Sequence, residues 1–159
     1  TGHALNFEAV FIPDNYQKIA MIAPQFPYHG IFNVPFLGTS LWMSEDLISS
    51  TGSFIRGAVF PVGFSPYAYR PGIDEFLADY RDSFQEEPDV LAANGYDTIR
   101  LIRHIIDNSS VNSSKDFQKQ LFNVDYNGIT GEISFEKNGE VRKDPLLMTV
   151  EKNGFKVLE

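Results

Sequence analysis

The sequence predicts an α/β protein built on a parallel sheet, and three observations predict it. Three short apolar runs, Glu8-Ala9-Val10-Phe11-Ile12, Val34-Pro35-Phe36-Leu37-Gly38-Thr39 and Gly57-Ala58-Val59-Phe60-Pro61-Val62-Gly63, each end in turn-forming or small residues. Helix-like segments separate them, giving the order β-α-β-α-β expected of right-handed crossovers. Helices then follow, and the chain closes on strands around Asn138-Gly139 and Asn153-Gly154, with Asn138-Gly139 the strongest short hairpin signal.

The first run carries β-branched and aromatic residues and stops at Pro13-Asp14-Asn15, where proline removes a backbone donor. Its length suits a buried strand, although period alone does not separate it from a buried helical segment. Asn15 is placed to cap a helix over Asn15–His29, in which Ile19, Ile22, Ala23 and Phe26 share a face. Pro24 and Pro27 are expected to kink or end it, with Gly30 as the stop. After the second strand, Ser44 is expected to cap a short helix with Glu45 and Asp46 in its first turn and Leu47 and Ile48 buried. Ser49–Ser53 reads as a polar loop before the third strand.

Phe64–Pro71, with two prolines and two tyrosines, reads as a linker or hinge. Gly72–Phe84 places Ile73, Phe76, Leu77, Tyr80 and Phe84 on one helical face. Asp89–Asp107 is a longer helix with Leu91, Tyr96, Ile99, Ile102, Ile105 and Ile106 as its apolar set. Lys115–Asn123 is a third helix after the polar loop Asn108–Ser114, whose N-x-S patterns read as turn composition. Gly128–Phe135 is a strand, Lys137–Glu140 a turn, and Leu146–Val150 and Phe155–Leu158 are closing strands. Thr1–Leu5 is expected to fray or to finish a strand.

The 159 residues suit one ordinary domain, and a hydrophobic fraction of 43% supports a core. A net charge of −8 argues against nucleic acid and anionic membranes as partners, while serving solubility equally well. The absence of cysteine excludes disulfides, thiolate zinc sites and cysteine nucleophiles. No apolar stretch approaches the roughly 20 residues of a membrane span, and no signal peptide is present. The chain opens on Thr1, as a processed product or an excised piece would.

Catalytic constellations are absent from the pattern. His3, His29 and His104 have no second histidine or acid at metal-ligand spacing. Gly38-Thr39-Ser40-Leu41-Trp42 lacks the G-x-S-x-G frame of a nucleophile turn. No phosphate-binding glycine loop follows the first strand. No cofactor is expected. Asp14 ends a strand as a phospho-acceptor would, without the earlier acid pair or later lysine that reading needs.

Ligands of open α/β sheets bind at the carboxyl ends of the strands. The candidate site is therefore three loop tips: Asp14, Asn15 and Tyr16; Thr39, Ser40, Leu41 and Trp42; and Gly63 with Phe64. They offer amide, phenol and hydroxyl groups beside the single tryptophan, as an aromatic wall with a few polar groups does in small-ligand sites. The plainer alternative makes Trp42 a core residue and Asn15 and Ser44 only helix caps.

The order of segments resembles the C-terminal half of type I periplasmic solute-binding proteins, the branched-chain amino-acid receptor group of ABC transporters. The resemblance rests on the three strand runs above, with Trp42 after the second, and on two later groups. Phe76-Leu77-Ala78-Asp79-Tyr80, Glu87-Pro88-Asp89 and Ala93-Asn94-Gly95-Tyr96-Asp97 are similar to that family's helices. Gly128-Ile129-Thr130-Gly131, Ile133-Ser134-Phe135 and Asn138-Gly139 are similar to its ending. It covers nearly the whole chain and implies a two-lobed Venus-flytrap clamp without catalysis.

Residues 1–63 would then be the α/β sheet portion of the second lobe and 64–71 a hinge crossing. Residues 72–127 would be helices of the first lobe, and 128–159 would cross back and close the sheet. The implied partners are a small-molecule ligand, such as an amino acid, and the membrane permease of an ABC transporter, in the periplasm or outside the cell. The chain departs from amino-acid-gripping members at Ser40, near which they usually carry an acid for the ammonium group. The alternative on the same fold is a cell-envelope interaction or regulatory domain; a small α/β enzyme is the third reading. With no first-lobe sheet, the isoleucine-rich helix would leave an apolar face uncovered, so the chain is expected either to associate with another copy or to pack differently from its parent.

Overall fold

The computed structural model describes residues 7–158, in two compact units. One runs to Val62 and resumes at Leu146; the other is Gly63–Pro145. Thr1–Leu5 and His3 lie outside the described residues.

The first unit is a five-stranded sheet in the order β1-β2-β3-β7-β8. Strands β1 (Val10–Phe11), β2 (Phe36–Leu37) and β3 (Val59–Val62) are parallel, with Val10 opposite Phe36 and Leu37 opposite Val59. The expected βαβαβ order is therefore present, in strands shorter than the apolar runs suggest. The ladder extends beyond the strands through Val10 N–H to the Pro35 carbonyl (3.0 Å), Ile12 N–H to Leu37 (2.9 Å) and Gly38 N–H to Val59 (2.9 Å). Strand β7 (Leu146–Glu151) runs antiparallel to β3, and β8 (Gly154–Leu158) folds back on β7 through the two-residue turn Lys152-Asn153, with Gly154 already paired to Glu151.

The helix expected over Asn15–His29 is two helices, α1 (Tyr16–Ile22) and α2 (Gln25–Tyr28), with Pro24 at the break. Pro27 falls in the first turn of α2, where its missing N–H costs no helical bond. Ser44 precedes α3 (Glu45–Thr51), but its side chain makes no capping bond. The polar loop expected over Ser49–Ser53 is in part helix: Thr51 is buried, and its hydroxyl donates to the Leu47 carbonyl (2.5 Å). That back-bond satisfies the buried hydroxyl within the helix. Ile19, Phe36, Trp42, Leu47, Ile55, Phe60, Met148 and Val150 form the core of this unit. Each such large side chain contributes roughly 1.5–3 kcal/mol on leaving water.

The second unit opens with Phe64, Ser65 and Ala68, all buried, within the segment expected to be a linker or hinge. Phe64 meets Phe76 of α4 (Ile73–Phe84) edge to face, with centroids 6.0 Å apart. Helix α5 (Val90–Asn108) starts where the Asp89 carboxylate accepts from Leu91 N–H (2.9 Å) and Ala92 N–H (2.8 Å). Ala93, Asp97, Leu101 and Ile105, four residues apart, are its buried line. Leu91, Ile99, Ile102 and Ile106, members of the apolar set named above, lie on exposed faces. Helix α6 (Ser114–Leu121) is capped by Ser113.

The single strand expected over Gly128–Phe135 is a tight hairpin, β4 (Tyr126–Gly128) and β5 (Gly131–Phe135), with β6 (Val141–Arg142) beyond. Gly131, at φ +128°, adopts a backbone conformation that side chains rarely reach, and so permits the turn. The Asp97 carboxylate locks it, accepting from the backbone N–H groups of Ile129 and Thr130 (2.9 Å each) and from the Thr130 hydroxyl.

Candidate functional site

Parallel pairing of β1 and β2 puts the loops that follow them side by side. In the first, Asn15 caps α1: its side-chain oxygen accepts from Lys18 N–H (3.1 Å). Its own N–H donates to the carboxylate of the neighbouring Asp14 (2.8 Å). Asp14 is exposed, and Asn15 and Tyr16 are half-buried.

In the second loop, Thr39 Oγ1 accepts from Leu41 N–H (3.4 Å) and starts the single 3₁₀ turn Ser40–Trp42. That turn leaves Ser40 and Leu41 exposed and turns Trp42 inward. Two bonds tie the tips together. The Trp42 indole N–H donates to the Asp14 carbonyl (2.9 Å), and the Tyr16 hydroxyl donates to the Asp46 carboxylate of α3 (3.4 Å).

Asp14, Asn15, Tyr16, Thr39, Ser40 and Leu41 are thus brought to one edge of the sheet. Two expected members differ. Trp42 has 0% exposure and packs on Phe60 with centroids 6.1 Å apart, so it is a post beneath the tips and not their wall. Phe64 is buried in the second unit against Phe76. Sequence reading missed Asp46, which it assigned only to the helix dipole. A first-turn acid directly after a strand-tip loop was the available signal.

What these groups can do is hold a small polar molecule: hydroxyls, an amide and carboxylates, with no nucleophile–base pair among them. Among the described residues no group of three or more histidines and acids could hold a metal, and no helix is long and apolar enough to cross a membrane.

In open α/β sheets ligands bind outside the carboxyl ends of the strands, the edge at which these polar side chains gather. The chain belongs to the periplasmic binding protein family, which matches residues 3–155. This family, like the solved structures below, comprises solute-binding proteins and not enzymes.

A protein from Rhodospirillum rubrum, described as a branched-chain amino acid ABC transporter, superposes with a TM-score of 0.84 at 23% identity, over 95% of this chain and 44% of that one. The leucine binding protein LivK from Thermotoga maritima gives 0.68 at 24% identity, over 97% and 44%. The branched-chain amino acid substrate binding protein LivJ from Streptococcus pneumoniae, solved with isoleucine, gives 0.63 at 24% identity, over 97% and 45%. At such identities the likeness is one of fold, that of the two-lobed binding proteins. This chain spans less than half the length of each. No curated protein matches it.

Proposed function

We propose that the chain is the ligand-gripping part of an extracytoplasmic receptor that delivers a small ligand, such as an amino acid or a related compound, to the permease of an ABC transporter. The observation that carries this reading is the cross-tied pair of loop tips, Asp14–Tyr16 and Thr39–Leu41, held by the Trp42 and Tyr16 bonds. Ser40 replaces the acid expected for an ammonium group, but Asp46 brings a carboxylate to the same edge through Tyr16. Its charge suits a ligand ammonium, with Ser40 and Asn15 as further hydrogen-bonding groups. Family membership supports an extracytoplasmic location, periplasmic or extracellular. The segment 64–71 serves as the hinge crossing.

The test is tryptophan fluorescence of the full-length protein, titrated with an amino-acid and small-peptide panel, beside the Trp42→Phe and Asp46→Asn variants. A saturable change that vanishes in Trp42→Phe, with affinity for amino acids reduced about tenfold in Asp46→Asn, supports the reading; loss of one charge-assisted contact is worth roughly that factor. A folded protein silent across the panel would shift the assignment to an interaction domain of the cell envelope.

Self-association of the 159-residue chain belongs to the same proposal. Leu91, Ile99 and Ile106, exposed at 74%, 66% and 55%, form an apolar surface on α5 that water covers poorly. Light scattering should give a mass above 17.9 kDa, returning to it in Ile99→Gln/Ile106→Gln.

A further inference from the structure

The second unit carries a recess of about 450 Å³ that is separate from the loop tips, lined by Arg70, Asp125, Asn127, Glu132 and Asp144. Arg70 is half-buried, whereas the three acids and Asn127 are exposed, so a cation lies deeper and carboxylates stand at the rim. The Arg70 guanidinium makes no hydrogen bond or ion pair with any described residue; its Nη1 lies 3.0 Å from where a Cβ on Gly131 would be. A planar, five-donor cation held partly out of water is therefore left with its donors unused by the protein, although acids stand close by.

The seat is rigid. Gly131 belongs to the turn that Asp97 locks, and Glu132 follows it directly. A second recess of about 240 Å³ continues past Glu132 and Asp144 to Ser134, Arg142 and Lys143. Lys143 Nζ is already engaged by the Asn94 side chain (2.8 Å) and Arg142 is exposed, so Arg70 is the partly buried cation of the recess whose donors are free.

We propose that this recess binds a small zwitterion of dipeptide size, its carboxylate on Arg70 and its ammonium among Asp125, Glu132 and Asp144. Arg70 matches a carboxylate with two parallel N–H···O bonds. A simple anion would have to pass three rim carboxylates, and a simple cation would approach Arg70; a molecule with both charges meets neither penalty. The volume exceeds what one small amino acid fills.

Calorimetry on the 159-residue chain with alanylalanine tests this, beside its N-acetyl and C-amide forms. The expected result is saturable millimolar or tighter binding of the free dipeptide, at least about tenfold weaker for either blocked form. Arg70→Met should weaken it by a similar factor. Asp144→Asn, on the exposed rim, should weaken it less, and gives the answer if Arg70→Met does not fold. Asn15→Ala, at the loop tips, should leave it unchanged. Equal binding of the blocked forms, no saturable heat with the folded protein, or a loss in Asn15→Ala and not in Arg70→Met would overturn the proposal. The last outcome would assign the dipeptide to the loop tips instead, so the two sites fail independently.

Discussion

The indole N–H of Trp42 donates to the carbonyl oxygen of Asp14 at 2.9 Å, across 28 residues of sequence. Through this bond the loop after β2 fixes the backbone of the loop after β1. The fully buried ring below supplies the stiffness, packing on Phe60 among Ile19, Leu47 and Met148. The polar side chains at the tips thus rest on a core residue. The precision of the proposed ligand site and the stability of the first unit share one side chain.

Trp42→Phe separates the two contributions. Phenylalanine keeps an aromatic ring but leaves the Asp14 carbonyl without its partner and a gap where the second ring lay. A loss of about 2–4 kcal/mol is expected from the cavity and the broken bond together. Urea unfolding followed by circular dichroism measures it, since the variant has no tryptophan. A loss below about 1 kcal/mol would show that the bond and the packing hold little.

Gly38 is the reason the ring can lie where it does. A Cβ at this position would fall 2.2 Å from Trp42 Cδ2 and 2.4 Å from Cε2. Gly38→Ala should therefore push the indole out of its seat, costing about 1–3 kcal/mol as overpacked cores do. The fluorescence maximum should shift to the red as the ring meets water. An unshifted spectrum with unchanged stability would mean that the strand moves and the ring does not.

Asp97 is the corresponding post in the second unit, at 1% exposure, with three donors on its carboxylate. Asp97→Asn replaces one acceptor oxygen by an NH₂ group that faces donors. The expected cost is about 2–4 kcal/mol, because buried N–H groups lose a charged acceptor and meet a second donor. Amide exchange at Ile129 and Thr130 should rise far more than at β7. Equal protection in the variant would refute the role of the carboxylate as the lock.

The strand order and the caps were legible because their signals are local. Apolar runs closed by Pro13-Asp14-Asn15 and by Gly38-Thr39 marked β1 and β2, and Asn15 sits at a helix start in sequence and structure alike. The buried line of α5 was not legible from hydrophobicity. Leu91, Ile99 and Ile106 face outward, while Ile105 of the same apolar set faces in with Ala93, Asp97 and Leu101. The aspartate in that line has as its partners two backbone N–H groups more than 30 residues away, which no local period reports. The glycines at 128 and 131, flanking two free donors, were the available hint. Trp42 misled for the opposite reason. A lone tryptophan at a strand tip suits a binding wall as well as a core, and only the clearance above Gly38 separates the two.

Tyr126 makes the second unit sensitive to alkaline pH. Burial beside α5 pushes its phenol pKa up, and the nearby Asp97 charge and Tyr96 add to this, against the opposing effect of Arg100. The folded value thus exceeds the ordinary value near 10 that the unfolded chain shows. A raised folded pKa means that the folded state keeps its proton longer. The stabilisation is then fully present below about pH 10 and is lost as pH rises through the folded value. Lys143 acts in the same range with the opposite sign: burial lowers its pKa, so its contribution to stability rises with pH as the strained charge is shed. Tyr126→Phe isolates the first effect, since Lys143 is common to both proteins. Urea midpoints measured from about pH 8 to 11 should fall more steeply for the native protein than for the variant once the phenol titrates. Parallel curves would show that Tyr126 ionises as freely folded as unfolded, and that its contact with the His104 ring, 5.7 Å between centroids, leaves it open to water.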